Sequence, residues 1–310
     1  MRDYCFCFLF LKIGGFGMDD FKERLIHLLH FPNISWSTVY QWLKKDPNLS
    51  LLYQLNANDL QQCSSIPPYS NFNTAKTPHS FDSIHKKIYQ YKSNDIQVIS
   101  YFDKEYPESL KQIYQPPWAL FAKGDLSLLG REPKLAVVGS RQGTQYGKNA
   151  IRHLFPRLIE KGVVIVSGLA KGIDTFAHES ALHFNGRTIA VIAGGLYHIY
   201  PKENISLASE MMKTQLVLSE YPPDAKPEKW HFPARNRIIS GLAFGTLVIE
   251  ANQKSGSLIT ANYAVNEGRE VFALPGSIFN PFSSGTNQII QQGAKLITTA
   301  EDILEEMKHY

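Results

Sequence analysis

From Lys134 onward the chain alternates short apolar runs with glycine-bearing turns and helical stretches, and this alternation narrows the fold more than any other feature. The runs cover 135–138, 163–166, 188–193, 216–218, 246–249, 270–274 and 295–297. Helical periodicity lies between them, most clearly over 145–161, 172–184, 257–267 and 299–308. Continuous β-branched runs separated by helices predict a parallel sheet covered on both faces. The expectation is a doubly wound α/β domain of about 175 residues.

The preceding segments have another character. Residues 19–62 read as short helices with apolar faces at Leu25, Ile26, Leu28 and Leu29, then Val39, Trp42 and Leu43, then Leu51, Leu52 and Leu55. Turn formers without periodicity crowd the stretch from Pro67 to Pro78. The expected organisation is an N-terminal extension over 1–17, a small helical domain over 18–66, a linker over 67–80 and the α/β domain over 81–310. A helix near 81–92 and a strand over 96–100 lead into that domain, and the run from Pro116 to Phe121 closes the connecting region.

The apolar run 4–11 is too short to span a bilayer, and no small-residue cleavage site follows it. An amphipathic helix begins at Met18, which predicts that Met18 is the true start and that 1–17 are non-native or disordered. Cys5, Cys7 and Cys63 are the three cysteines of the chain, too few and too far from the α/β half for a disulfide framework. The expected compartment is the cytoplasm, without membrane attachment. Residues 134–299 hold 17 Lys and Arg against 11 Asp and Glu, whereas 300–310 hold one Lys against four acids. A basic core with an acidic tail permits an anionic partner.

Open parallel sheets bind ligands at the carboxyl ends of their strands. The residues there are Gly139-Ser140-Arg141 with Gly143 and Gly147, the turn from Ser167 to Asp174, Gly194-Gly195 with Tyr200-Pro-Lys202, Glu220 with Lys229-Trp-His-Phe232, and the turn from Ser255 to Thr260. Glycines and helix N-termini let backbone N–H groups approach an anion. The spacing fits neither the dinucleotide fingerprint nor the P-loop. Each turn alone is an ordinary αβ connection; five at one sheet edge predict an anion site. The segment His231-Phe-Pro-Ala-Arg-Asn-Arg237 adds a ring and two guanidinium groups, the pairing that suits single-stranded nucleic acid. Trp230 is either a base platform or a packed ring. His178 and His183 are five apart and cannot share one helix face, so His178 is read as packed or capping rather than as a zinc ligand. Asp174, Glu220 and Glu250 show no acid/base spacing, and Glu250 is read as a strand-end residue that holds backbone amides.

Taken in order, Val137-Val-Gly-Ser-Arg141, the run from Ser167 to His178, Tyr200-Pro-Lys202 and Phe232-Pro-Ala-Arg-Asn-Arg-Ile-Ile-Ser-Gly241 strongly resemble the DNA-processing protein A family, also called Smf. Glu250-Ala251, the run from Ser255 to Ala261, the run from Gly268 to Gly276, Ser283-Ser-Gly-Thr-Asn287 and Gly293-Ala294 continue the match, as do Tyr106-Pro-Glu-Ser-Leu110 and the run from Pro116 to Gly124 upstream. The resemblance spans about residues 96–300.

It implies an extended Rossmann-like, mostly parallel α/β domain with a small N-terminal helical domain. It also implies a protein that binds single-stranded DNA, usually as a homodimer, and loads the recombinase RecA onto incoming DNA during natural transformation, with neither cofactor nor catalysis. By motif match Arg141, Lys202 and Lys229 hold phosphates and Phe232 contacts a base, while Gly139, Ser140, Gly256 and Ser257 offer donors; Arg235 and Arg237 join this set. The chain departs from the family at 193–197, where Ala-Gly-Gly-Leu-Tyr replaces a pattern ending in Asp, and at Ser240, where alanine is common. The segment 31–36 lacks the G-x-G hairpin turn of many members, so independent DNA binding by the small domain is not expected. No winged-helix extension is expected after the last helix. A rival reading comes from Gly245-Thr-Leu-Val-Ile-Glu250, which is similar to part of the G-G-x-G-T-x-x-E signature of nucleotide phosphoribohydrolases. The preceding residues 242–244 lack that family's paired glycines.

Overall fold

The computed structural model describes residues 18–31, 34–54 and 81–307. The extension over 1–17, the linker over 67–80 and all three cysteines lie outside the described residues. Contacts divide the chain into two units, Met1–Ile96 and Gln97–Tyr310. The first holds α1 (Met18–Leu29), α2 (Trp36–Lys45), the single turn α3 (Leu51–Gln54) and α4 (Phe81–Ser93). The division therefore falls after α4 and not in the linker expected over 67–80. Its cause is local, since α4 packs on α1, and the Tyr91 hydroxyl bonds to His30 Nε2 at 2.6 Å with their rings stacked.

In the second unit the strands are β1 (Gln97–Ser100), β2 (Ala119–Gly124), β3 (Lys134–Val138), β4 (Val164–Ser167), β5 (Arg187–Ile192), β6 (Leu216–Ser219), β7 (Gly245–Val248), β8 (Glu270–Ala273) and β9 (Lys295–Leu296). The helices are α5 (Glu108–Lys111), α6 (Gln145–Glu160), α7 (Ile173–His183), α8 (Ile205–Thr214), α9 (His231–Leu242), α10 (Gly256–Asn266), α11 (Ser284–Gln291) and α12 (Glu301–Glu306). All seven expected apolar runs are strands. One sheet contains them in the order β1-β2-β6-β5-β4-β3-β7-β8-β9. From β6 to β9 every pairing is parallel, while β2 is antiparallel to both β6 and β1. The expected mostly parallel Rossmann-like architecture is present. The run closing the connecting region is itself β2, an unassigned strand masked by its neighbours Pro116 and Pro117.

Side chains of α6, α7 and α12 form one core layer with Leu135, Ile165, Leu247 and Phe272 of the sheet. From β3 the chain winds outward through β4, β5 and β6, then crosses back through α9 to β7 beside β3. Right-handed crossovers in the reverse direction put α9 and α10 on the opposite face, where they pack on each other. Ile289 of α11 and Ile303 of α12 are buried, so apolar side chains near the C-terminus belong to the core.

The turn after β3 is held to the end of β7. Ser140 N–H donates to Glu250 O at 2.7 Å, and the Glu250 carboxylate accepts both the Thr144 N–H (2.8 Å) and the Thr144 hydroxyl (2.6 Å). Thr144 caps α6, so the 1% exposed Glu250 fixes the start of that helix. This is the amide-holding role expected of it. Glu250→Ala should lower stability by about 2–3 kcal/mol, because a charged acceptor is lost and a buried N–H left unpaired. In a thermal melt that is a drop of about 5–10 °C, and Glu250→Gln should recover part of it. An unchanged melting temperature in Glu250→Ala would contradict this assignment.

Candidate nucleic-acid interface

Winding reverses between β3 and β7, and the loops leaving their carboxyl ends diverge. A cleft of about 840 Å³ opens there, the position at which open α/β sheets take their ligands. Its walls carry Gly139, Ser140 and Arg141 from the β3 turn, Lys229, Phe232 and Arg235 from α9 and its approach, and Gly256 and Ser257 from the start of α10. Eight of the ten residues expected at the site are thus brought together.

Two are not. Lys202 is exposed beyond Tyr200 and Pro201 and does not line the cleft. Arg237 is turned away, buried, and ion-paired with Glu220. The cause is the helix α9, to which the sequence reading assigned no secondary structure. Residues two apart on a helix point about 200° apart, so Arg235 and Arg237 cannot both face one groove. The cleft face of α9 is Phe232, Arg235, Asn236 and Ile239, at the three- and four-residue spacing of one helical side. That period was the available signal, and it also finds Asn236. Lys254, a cleft cation in the turn after β7, was signalled by its place before Ser255-Gly256.

The Arg141 guanidinium lies over the Phe232 ring at 5.4 Å, and the Tyr200 ring meets Phe232 edge-on at 5.7 Å. A cation resting on a ring face is a modest attraction, about 0.5–1 kcal/mol when exposed, so both partners stay available to a ligand. Below them Arg235 is buried. One guanidinium nitrogen donates to Val191 O at 2.9 Å, and Nε has no hydrogen-bond partner. Burial lowers the pKa of Arg235 to about 10, with Asp174 acting against that and Arg141 adding to it, so the side chain is charged at neutral pH. Burial raises the Asp174 carboxyl, while Arg235 pulls it down. This pair fits only because residue 168 is glycine: a Cβ there would sit 1.6 Å from an Arg235 nitrogen and 2.6 Å from Asp174 Oδ2.

Gly139 serves packing as much as anion approach, since a Cβ would fall 2.6 Å from the Ile173 side chain. The Ser140 N–H is already spent on Glu250 O, and its Oγ accepts from Gln142 N–H, which leaves the hydroxyl proton to donate. Ser255 caps α10 and bonds Ser257 Oγ at 2.6 Å, whereas Gly256 has open space on its side-chain face. A helix N-terminus therefore points into the cleft beside Lys254.

His178 is structural. It is fully buried, its Nδ1 is 2.7 Å from Thr188 Oγ1, and that hydroxyl donates to Ile165 O. Thr188 must then accept, so His178 carries its proton on Nδ1. Burial and Arg235 hold its pKa down to about 3, so it is a neutral packed residue. Trp230 is 54% exposed at the cleft margin, with its Nε1 donating to Glu228.

A family model for DNA recombination-mediator protein A matches residues 97–308. The chain is 46% identical over 278 residues to the DNA processing protein DprA of Bacillus subtilis (strain 168), covering 88% of this chain and 91% of that one. It is 52% identical over 209 residues to DprA of Streptococcus pneumoniae, covering 67% and 73%. The X-ray structure of DNA processing protein A from Streptococcus pneumoniae superposes with a TM-score of 0.73 at 39% identity, covering 92% of this chain and 97% of that one. DNA processing protein A from Helicobacter pylori, solved for its single-stranded DNA binding mode, gives a TM-score of 0.63 at 33% identity over 69% of this chain and 97% of its own. The chain belongs to the DNA recombination-mediator protein A family.

Proposed function

We propose that this protein grips single-stranded DNA in the cleft between β3 and β7 without reacting with it, and hands the strand to a RecA-type recombinase. The observation that carries the reading is that Arg141, Lys229 and Lys254 line one cleft with the Phe232 ring at the winding reversal, Arg141 lying over that ring. The cations hold successive phosphates. Gly256 N–H and the Ser140 hydroxyl add hydrogen bonds, and Phe232 stacks on a base once Arg141 engages a phosphate. Stacking is indifferent to base identity, so the grip tolerates any sequence. The kinship with relatives called DNA processing protein and with the recombination-mediator family supports a place in recombination, and a homodimer in the cytoplasm belongs to the same proposal. Among the described residues no helix is long and apolar enough to cross a membrane.

The absence of catalysis is part of this proposal. Each candidate acid is engaged by a partner: Glu250 holds Thr144, Glu220 pairs with Arg237, and Asp174, which lines the cleft, faces the Arg235 charge. The phosphoribohydrolase reading needs Glu250 in the cleft, and it does not line it.

Three neutralised phosphates give a log–log salt slope of about −2 for a single strand. Arg141→Ala and Lys229→Ala should each weaken binding and flatten that slope, whereas Phe232→Ala should weaken binding by about tenfold at unchanged slope. Gel-shift titrations across a salt series read both, and full affinity in both cation variants would overturn the site. Arg237→Ala should instead destabilise the fold by about 3–5 kcal/mol, through the uncompensated Glu220, and leave the slope alone in the folded fraction. A flattened slope would return Arg237 to the interface. Nucleoside monophosphates incubated with the protein should release no free base; steady release would sink the non-catalytic reading.

A further inference from the structure

The loops after β5 and β6 build a lobe beside the cleft. Gly195 N–H donates to Ala225 O at 2.7 Å, Tyr197 N–H donates to Pro223 O at 2.9 Å, and the Ser219 hydroxyl donates to Gly194 O at 2.7 Å. Three rings stand open on it, with Tyr197 42%, Tyr200 52% and Trp230 54% exposed. Tyr200 lines the cleft and touches Phe232, so the ring series starts where the cleft's own platform ends. Trp230 is anchored by neighbours despite its exposure. Its Nε1 donates to Glu228, and its edge packs on His231 at 4.1 Å and Tyr221 at 6.0 Å. A ring held in place while open to solvent is preorganised for a flat ligand. The charges of the two loops nearly cancel, since Lys202, Lys226 and Lys229 are accompanied by Glu203, Glu220, Asp224 and Glu228. Added phosphate attraction is therefore small, and the rings are what this surface offers.

We propose that this lobe is a second stacking platform, which takes the bases of a single strand as it leaves the cleft past Tyr200, with Tyr197 and Trp230 as the contact rings. The proposal rests on the reading of the cleft as a single-strand site. It gives the protein a longer footprint on unpaired DNA than the cleft alone, with extra affinity that salt does not screen.

The test compares oligothymidylates of about four and about twelve nucleotides on the full chain, lengths that bracket a single-domain strand footprint. Tyr197→Ala and Trp230→Ala should each weaken the longer strand by about fivefold or more, leave the shorter one unchanged, and keep the salt slope. Trp230→Phe should restore the longer strand's affinity. The longer strand should quench tryptophan emission in the native chain and not in Trp230→Phe. Full affinity of both alanine variants for the longer strand, with Phe232→Ala weakened for both lengths, would remove the platform and leave the cleft standing. No effect of Phe232→Ala at either length would instead remove the cleft reading. A length-dependent loss in Phe279→Ala alone, on the loop after β8 where that ring is 90% exposed, would overturn the proposal by sending the strand out on the other side.

Discussion

The reversal of winding at β3 is the constraint on which the rest depends. The parallel strands β4 to β6 lie on one side of it and β7 to β9 on the other, so the loop after β3 and the loop after β7 must part. Backbone hydrogen bonds from Ile249 to Val138 and from Ser140 to Glu250 hold the two strand ends together below the parting. The gap above is thus a rigid consequence of topology. Helix α9 makes the return crossing and so lays one of its faces along the gap. What the chain does with a ligand follows from what that face and the two turns carry.

They carry cations and rings with few competing acids. Arg141 and Lys229 are exposed, and Arg235 is buried beneath them with Asp174 as its counter-charge. The buried pair fixes the floor, because a guanidinium bonded to Val191 O and wedged against Gly168 has little freedom. The exposed cations stay mobile enough to follow a polyanion. This division of labour suits binding. The nearby acids serve the same frame: Glu250 holds Thr144, Glu220 pairs with Arg237, and Asp174, which lines the groove, balances Arg235.

Much of this was legible in the residues. The strands announced themselves because each is a continuous β-branched run too short for a helix, and the parallel order followed from the helices between them. The turns at the carboxyl edge were legible for the same reason. Helix α9 was not. Its first seven residues contain Pro233 and four polar residues, and its apolar half runs directly toward β7, so no amphipathic period stood out. Arg237 was consequently grouped with Arg235, although the helix separates them. Helices α8 and α11 also went unassigned, α11 because only Ile289 and Ile290 of its eight residues are apolar. The close fit of Gly139 to Ile173 and of Gly168 to Arg235 could not be read from spacing at all, since each joins segments brought together only by the sheet.

Amide hydrogen exchange with and without oligothymidylate tests the central claim most directly, because it locates the bound strand without altering a residue. Protection should appear together in the turn after β3 at 139–143, in the approach to α9 at 229–236 and in the turn after β7 at 252–257. Protection confined to the opposite edge of the sheet, or spread evenly over the surface, would contradict a grip at the winding reversal.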